Sequence, residues 1–230
     1  MDSLLKGRII PVGFINSFFN SNHKMAEEGR IREALAAFFL SVPPQEKQTA
    51  MQQAQYRRAL RCMAKIETSS LLQSATAKRP LRYGDVNALL SETLNACFML
   101  LKEKGISFEF VIPQKSVCTA AEPRVITGAV VRLLYATAVA NPDGSIFATV
   151  RHRDNSILVL IGGDNAVCDV TALWLAKAAS RLHKGTFAVS GGTVAFSLRR
   201  GLPGAIGLFS VQPACEILNN PLSAVNLVFG

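Results

Sequence analysis

The sequence predicts an α+β protein in two parts, a helical hairpin followed by an α/β sandwich built on a mixed sheet. Three observations carry this. Leu5, Ile9, Val12, Ile15 and Phe19 fall on one helical stripe. Beyond residue 84 the period changes, and ISFEFVIP alternates as a strand does. The pairs SIFATVRHR/SILVLIGG and GTFAVS/TVAFSLRR then flank Asp154-Asn155 and Gly191-Gly192, as hairpin strands flank a turn.

Composition sets the limits. Of 230 residues 49% are hydrophobic and 18% charged, enough apolar matter for a sizeable core. The mean hydropathy is +0.25. Even so, no window holds the 18 uncharged apolar residues that a membrane span asks for. MDSLLKGRIIPVGFINSFF carries Asp2, Lys6 and Arg8 and lacks a small-residue cleavage site, so a cytoplasmic protein is expected. Cys62, Cys97, Cys118, Cys168 and Cys215 are odd in number and form no CxxC. His23, His152 and His183 lie far apart, so no metal site is expected. The net charge of +9 is uneven: residues 1–83 hold 13 Lys or Arg against 6 Asp or Glu, residues 84–230 hold 12 against 10. A basic first third either meets something acidic or is a solvated face.

The elements follow in order. Pro11 interrupts the first stripe and predicts a kink, since an interior proline costs about 3 kcal/mol. Gly29 interrupts the helix before IREALAAFF resumes it, and Pro43-Pro44 stops it. A second long helix runs from Gln45 to about Ser74 without Gly or Pro. Two such helices bury their stripes best by dimerising into a four-helix bundle. KRPLRYGD reads as a basic linker, which divides the chain into a hairpin part, 1–77, and a sandwich part, 84–230. Asp85 is placed to cap VNALLSETLNACFMLLKEK, and Gly105 to close it. Further helices are expected over roughly Glu122–Ala140 and over DVTALWLAKAASRLHK. Residues 201–230 fit no element; they add strands to a sheet edge or mediate assembly.

This order resembles the core of a sensor histidine kinase, a dimerisation and phosphotransfer hairpin followed by an ATP-binding domain of the GHKL superfamily. LAKAASRLHKGTFAVSGGTVAFSLRR and VNALLSETLNACFMLLKEKGISFEFVIP carry the resemblance best, and it covers about residues 4–200. The resemblance also marks what is missing. The family's N-box, N-L-L-x-N-A, falls on Arg132, Leu133, Leu134, Tyr135, Ala136 and Thr137. Both asparagines are gone, and Ala136 offers magnesium no oxygen. The D-x-G-x-G box falls on Asp164, Asn165, Ala166, Val167 and Cys168, without either glycine; Asp164 is a vestigial adenine contact or, as the preferred reading, simply caps the next turn. A few residues separate Cys168 from the next helix, and Val170, Thr171 and Ala172 stand where the second glycine motif would be. A phosphate cradle needs free backbone amides at a permissive turn. The resemblance therefore implies a catalytically degenerate core, with ATP and magnesium binding lost and no cofactor.

If Pro11 is the proline that follows the family's reactive histidine, Lys6 stands in the histidine's place. His23 lies 17 positions further on, roughly 25 Å along a continuous helix, among polar neighbours. It reads first as an ordinary surface histidine; the alternative is a phosphoacceptor, which would make the chain a phosphotransferase or an atypical kinase. Arg57, Arg61 and Lys65 recur every fourth residue, with Arg58 one position round. They form either a solvated face or a docking surface for an acidic receiver domain. The expected partners are a second copy, through the hairpin, and a response-regulator receiver domain or partner kinase. A basic nucleic-acid-binding dimer is the weaker alternative, because the chain has few aromatics for base stacking.

Overall fold

The computed structural model describes residues 30, 31, 33, 50–76 and 80–229. The chain divides into two compact units, Met1–Val42 and Pro43–Gly230. In the first, Arg30, Ile31 and Glu33 are helical and exposed. The stripe from Leu5 to Phe19, Pro11, His23, Gly29 and the Pro43-Pro44 stop lie outside the described residues.

The second unit begins with the expected long helix, α1 (Ala50–Thr76). Then come β1 (Arg82–Asp85), α2 (Val86–Glu103), β2 (Ser107–Val111), β3 (Cys118–Ala121) and α3 (Pro123–Ala140). They are followed by β4 (Ser145–Arg153), β5 (Ser156–Gly163), α4 (Val170–Leu182), β6 (Phe187–Ser190) and β7 (Thr193–Arg199). Two short helices close the order, α5 (Ala214–Asn219) and α6 (Ala224–Phe229).

The main sheet has five strands in the order β2-β4-β5-β7-β6. β2 runs parallel to β4, and every other pairing is antiparallel, so the sheet is mixed. Both hairpins stand where their turn pairs predicted them. Every second residue of the central strands enters the core. Ile146, Ala148 and Val150, Ile157, Val159 and Ile161, and Val194, Phe196 and Leu198 are each at most 1% exposed. They pack against Leu90, Leu94 and Leu101 of α2, Leu133 and Leu134 of α3, and Ala172 and Ala176 of α4. The helices therefore form one layer and the sheet the other.

α2 starts as its sequence requires. The Asp85 Oδ1 accepts the N–H groups of Asn87 at 2.9 Å and Ala88 at 3.1 Å, two of the donors a helix start leaves unpaired. Burial pushes the Asp85 carboxyl up, but the Ser116 hydroxyl and the amides of Ala88, Val117 and Asn87 outweigh it and hold it below its ordinary value. α4 begins in the same way on Asp169, which accepts from Thr171 and Ala172.

Two segments differ from expectation. Arg82–Asp85, read as part of a basic linker, forms β1 and pairs antiparallel with β3. Four-residue strands are too short to show a period, so neither was visible. The C-terminal segment then extends this small sheet. Ile206 N–H donates to Leu81 O, Tyr83 N–H to Gly207 O, and Phe209 N–H to Tyr83 O, at 2.7, 3.0 and 3.1 Å. Gly84 is required there, since a Cβ would stand 2.7 Å from the Phe209 ring.

Candidate functional site

The positions that the sequence resemblance assigns to a nucleotide site lie on α3 and on the connection from β5 to α4. α3 has a buried start. Pro123 suits its first turn, and the Glu122 N–H donates to the Nε2 of His183 at 3.0 Å. The other ring nitrogen donates to Ala179 O at 2.7 Å, so His183 is neutral, with its proton on Nδ1. Burial lowers its pKa. Sequence reasoning gave this histidine no role, and nothing in its neighbours signals one.

From there α3 presents two faces. Val130, Val131, Leu133 and Leu134 are fully buried. The opposite face is covered by other helices of the unit. Gly128 lies against α1, where an added Cβ would stand 2.5 Å from Leu71 Cδ1. Arg132 extends across α1, where its Nη2 donates to the Thr68 hydroxyl and to Ala64 O, the latter at 3.4 Å. Arg124 reaches Glu67 at 2.7 Å. Burial lowers the Arg132 pKa, opposed by the negative charges of Asp169 and Glu67. Its Nε is buried without a hydrogen-bond partner beside a cavity of about 10 Å³ lined by Glu67, Leu71 and Leu227, room for one water. The Tyr135 ring meets Phe229 of α6 edge-on at 5.5 Å. Ala136 is 7% exposed and carries no polar atom on its side chain.

The β5–α4 connection is short. Only Asp164–Asp169 separate the strand from the helix, and Val170, Thr171 and Ala172 are α4's first turn. Asn141, after the last residue of α3, fills the space beside it. Its side chain accepts the Asn165 N–H at 2.7 Å and donates to Thr137 O at 2.8 Å. The same amide stands 2.7 Å from where a Cβ on Gly163 would lie. Asn165 donates back to Ala140 O. Asp164 itself is exposed, facing the Gly144 turn. Ala166 and Cys168 are exposed on the same connection.

The remaining candidates stand apart from this region. Arg57, Arg58, Arg61 and Lys65 are all exposed on α1, with 57, 61 and 65 in one row. His23 is outside the described residues. All five cysteines are free; Cys97 is buried, which pushes its thiol up, and the other four are exposed. Among the described residues no three His, Cys, Asp or Glu side chains converge as a metal site would need. α3 is long and apolar enough to cross a membrane by composition, but 61% of it is buried as the core helix of this unit.

The sequence matches no family model and no curated protein. Solved structures do match the fold. The histidine kinase AdeS of Acinetobacter baumannii is 14% identical over 79% of this chain and 98% of its own, with a TM-score of 0.51. Full-length ShkA in complex with AMPPNP is 13% identical over 76% of this chain, at a TM-score of 0.56. This chain spans 44% of ShkA. The catalytic domain of the histidine kinase ThkA aligns over 53% of this chain at 14% identity and a TM-score of 0.46. A mixed sheet carrying three helices on one face, preceded by a long helix, is the α+β fold of a histidine-kinase core.

Proposed function

We propose that the chain is a two-component signalling protein of the degenerate histidine-kinase type, which docks a response-regulator receiver domain or a partner kinase without using ATP. The observation that carries the reading is the fate of Arg132. At the first N-box position it replaces an asparagine by a cation that bonds to α1 across the helix layer. Ala136 supplies no ligand oxygen for magnesium, and the β5–α4 connection carries Ala166 and Cys168 in place of glycines. Asn141 and Asn165 use their polar groups on each other and on α3, and Asp164 is exposed beside the Gly144 turn.

Docking is assigned to the exposed row of Arg57, Arg61 and Lys65 with Arg58 beside it, which complements the acidic pocket of a receiver domain. The hairpin would pair two copies, as two helices bury their stripes in a four-helix bundle. A cytoplasmic setting follows from such a partner.

Two measurements test this. Thermal unfolding with millimolar ATP and magnesium should leave the melting temperature unchanged. A ligand at a hundred times its Kd would add about 2.7 kcal/mol, and a magnesium-dependent rise of that size would overturn the degenerate reading. Receiver domains from the same cell, titrated calorimetrically, should include one that binds. The double reversal Arg57→Glu/Arg61→Glu should weaken that binding at least tenfold, and unchanged affinity would remove the docking role.

A further inference from the structure

The face of the main sheet turned away from the helices is not built as a solvated face. Antiparallel sheets with one wet side normally alternate apolar and polar residues cleanly. Here β5 turns Leu158 and Leu160 to the outer side, in register with Ser197 and Ala195 of β7 and with Arg151 and Thr149 of β4. Ala188 of β6 continues the row beyond Ala195. Val111 of β2 lies beside Thr149 and is 65% exposed, and Phe147, on the next row, is 38% exposed. No described helix packs on this side; the described core lies wholly on the other.

One end of the same face is strongly basic. Arg153 and Arg199 both flank Ser156 in register, and Arg151 stands two residues along from Arg153. Strands are about 4.8 Å apart, so Arg153 and Arg199 span roughly 10 Å. All three are exposed, and none makes an ion pair or a side-chain hydrogen bond among the described residues. Three cations this close repel one another unless an anion lies among them, and an apolar row beside them gives a partner something to bury.

We infer that this outer sheet face docks an amphipathic helix of a partner protein, with its apolar ridge laid across Leu158, Leu160 and Ala195 and acidic residues at one end meeting Arg151, Arg153 and Arg199. A second copy of this chain is a poor occupant, since it would bring the same arginines together. Nucleic acid is a poorer fit, because Phe147 is the only aromatic residue on this face of the paired strands, so stacking has one ring to use. The surface is separate from the α1 row, so it stands or falls independently of receiver docking.

The test uses the full chain and a labelled synthetic helical peptide with a leucine ridge and glutamates clustered toward one end, followed by fluorescence anisotropy and by NMR shift mapping. The peptide should bind, with shifts concentrated at residues 151–160 and 193–199. R151E/R153E/R199E should weaken it at least tenfold, and a lysine twin of the peptide should not bind. Leu160→Lys should weaken it similarly with the melting temperature held, and the arginine variant alone decides if Leu160→Lys fails to fold. Absence of binding, equal affinity for the arginine variant, or shifts confined to α1 would overturn the inference. So would a labelled DNA duplex that binds the same face more tightly than the peptide.

Discussion

The two faces of α3 do opposite things with the same helix. The inner face is Val, Leu and Ala packed on the strands, where any well-shaped apolar side chain serves. The outer face is Gly128, Arg132 and Tyr135, each fitted to one neighbour: Leu71, Thr68 and Phe229. Other helices of the same unit cover that outer face. A helix thus keeps its fold through one face while the other changes use. Leu133 and Leu134 are held by the general demand for apolar volume, whereas Gly128, Arg132 and Tyr135 each answer to one specific neighbour.

Four substitutions or conditions would break or sharpen that contrast. Leu134→Ala on the inner face should cost about 2–5 kcal/mol in denaturant unfolding, since the side chain is fully buried and leaves a cavity. A loss under about 1 kcal/mol would mean that the inner face does not carry the fold. Gly128→Leu on the outer face should cost about 1–3 kcal/mol by overpacking against Leu71. Its mark should be local: faster hydrogen exchange in α1, with the sheet amides still protected. Exchange rising equally in both would make α1 inseparable from the sandwich.

The start of α3, where both faces meet, should respond to acid. The folded pKa of His183 is lowered from 6.5, so the unfolded chain takes up the proton first as pH falls. Stability should therefore hold above pH 6.5 and decline below it, as protonation takes Nε2 from the Glu122 N–H. His152 is lowered too, by burial first and then by Arg200 and Lys115, and adds to the same window. His183→Gln should flatten most of the melting-temperature decline between pH 7 and pH 5; an unchanged decline would clear His183. Last and smallest, Arg124→Ala should cost under about 1 kcal/mol, because the pair with Glu67 is partly exposed. A larger loss would raise this ion pair above packing as the tie between α1 and α3.

Much of the sandwich was legible because its signals are local. Asp85 and Gly105 bracket α2, and the two turn pairs mark the hairpins, all within a few residues of what they control. Asp169 belongs with them, since it caps α4 through the amides of Thr171 and Ala172 just beyond it. The rest depends on distant partners. His183 meets Glu122 across 61 residues, and Arg132 meets Thr68 across 64, and neither spacing leaves a pattern in the chain. Nothing near Arg132 in the chain announces it as a tie to α1. β1 and β3 were invisible for a related reason, since each is defined by its pairing rather than by its own four residues.

That small sheet sets an order of events during synthesis. Tyr83 donates to Gly207 and accepts from Phe209, so the strand that opens the sandwich is completed by residues made more than a hundred positions later. At about 5–20 residues per second, a ribosome needs roughly 6–25 seconds to travel that far. Until then Leu81 O and the N–H and C=O of Tyr83 lack these partners, and the ring of Phe209 that covers Gly84 does not yet exist. The nascent chain spends that interval with its first edge exposed, open to whatever binds unpaired strands before the late segment arrives.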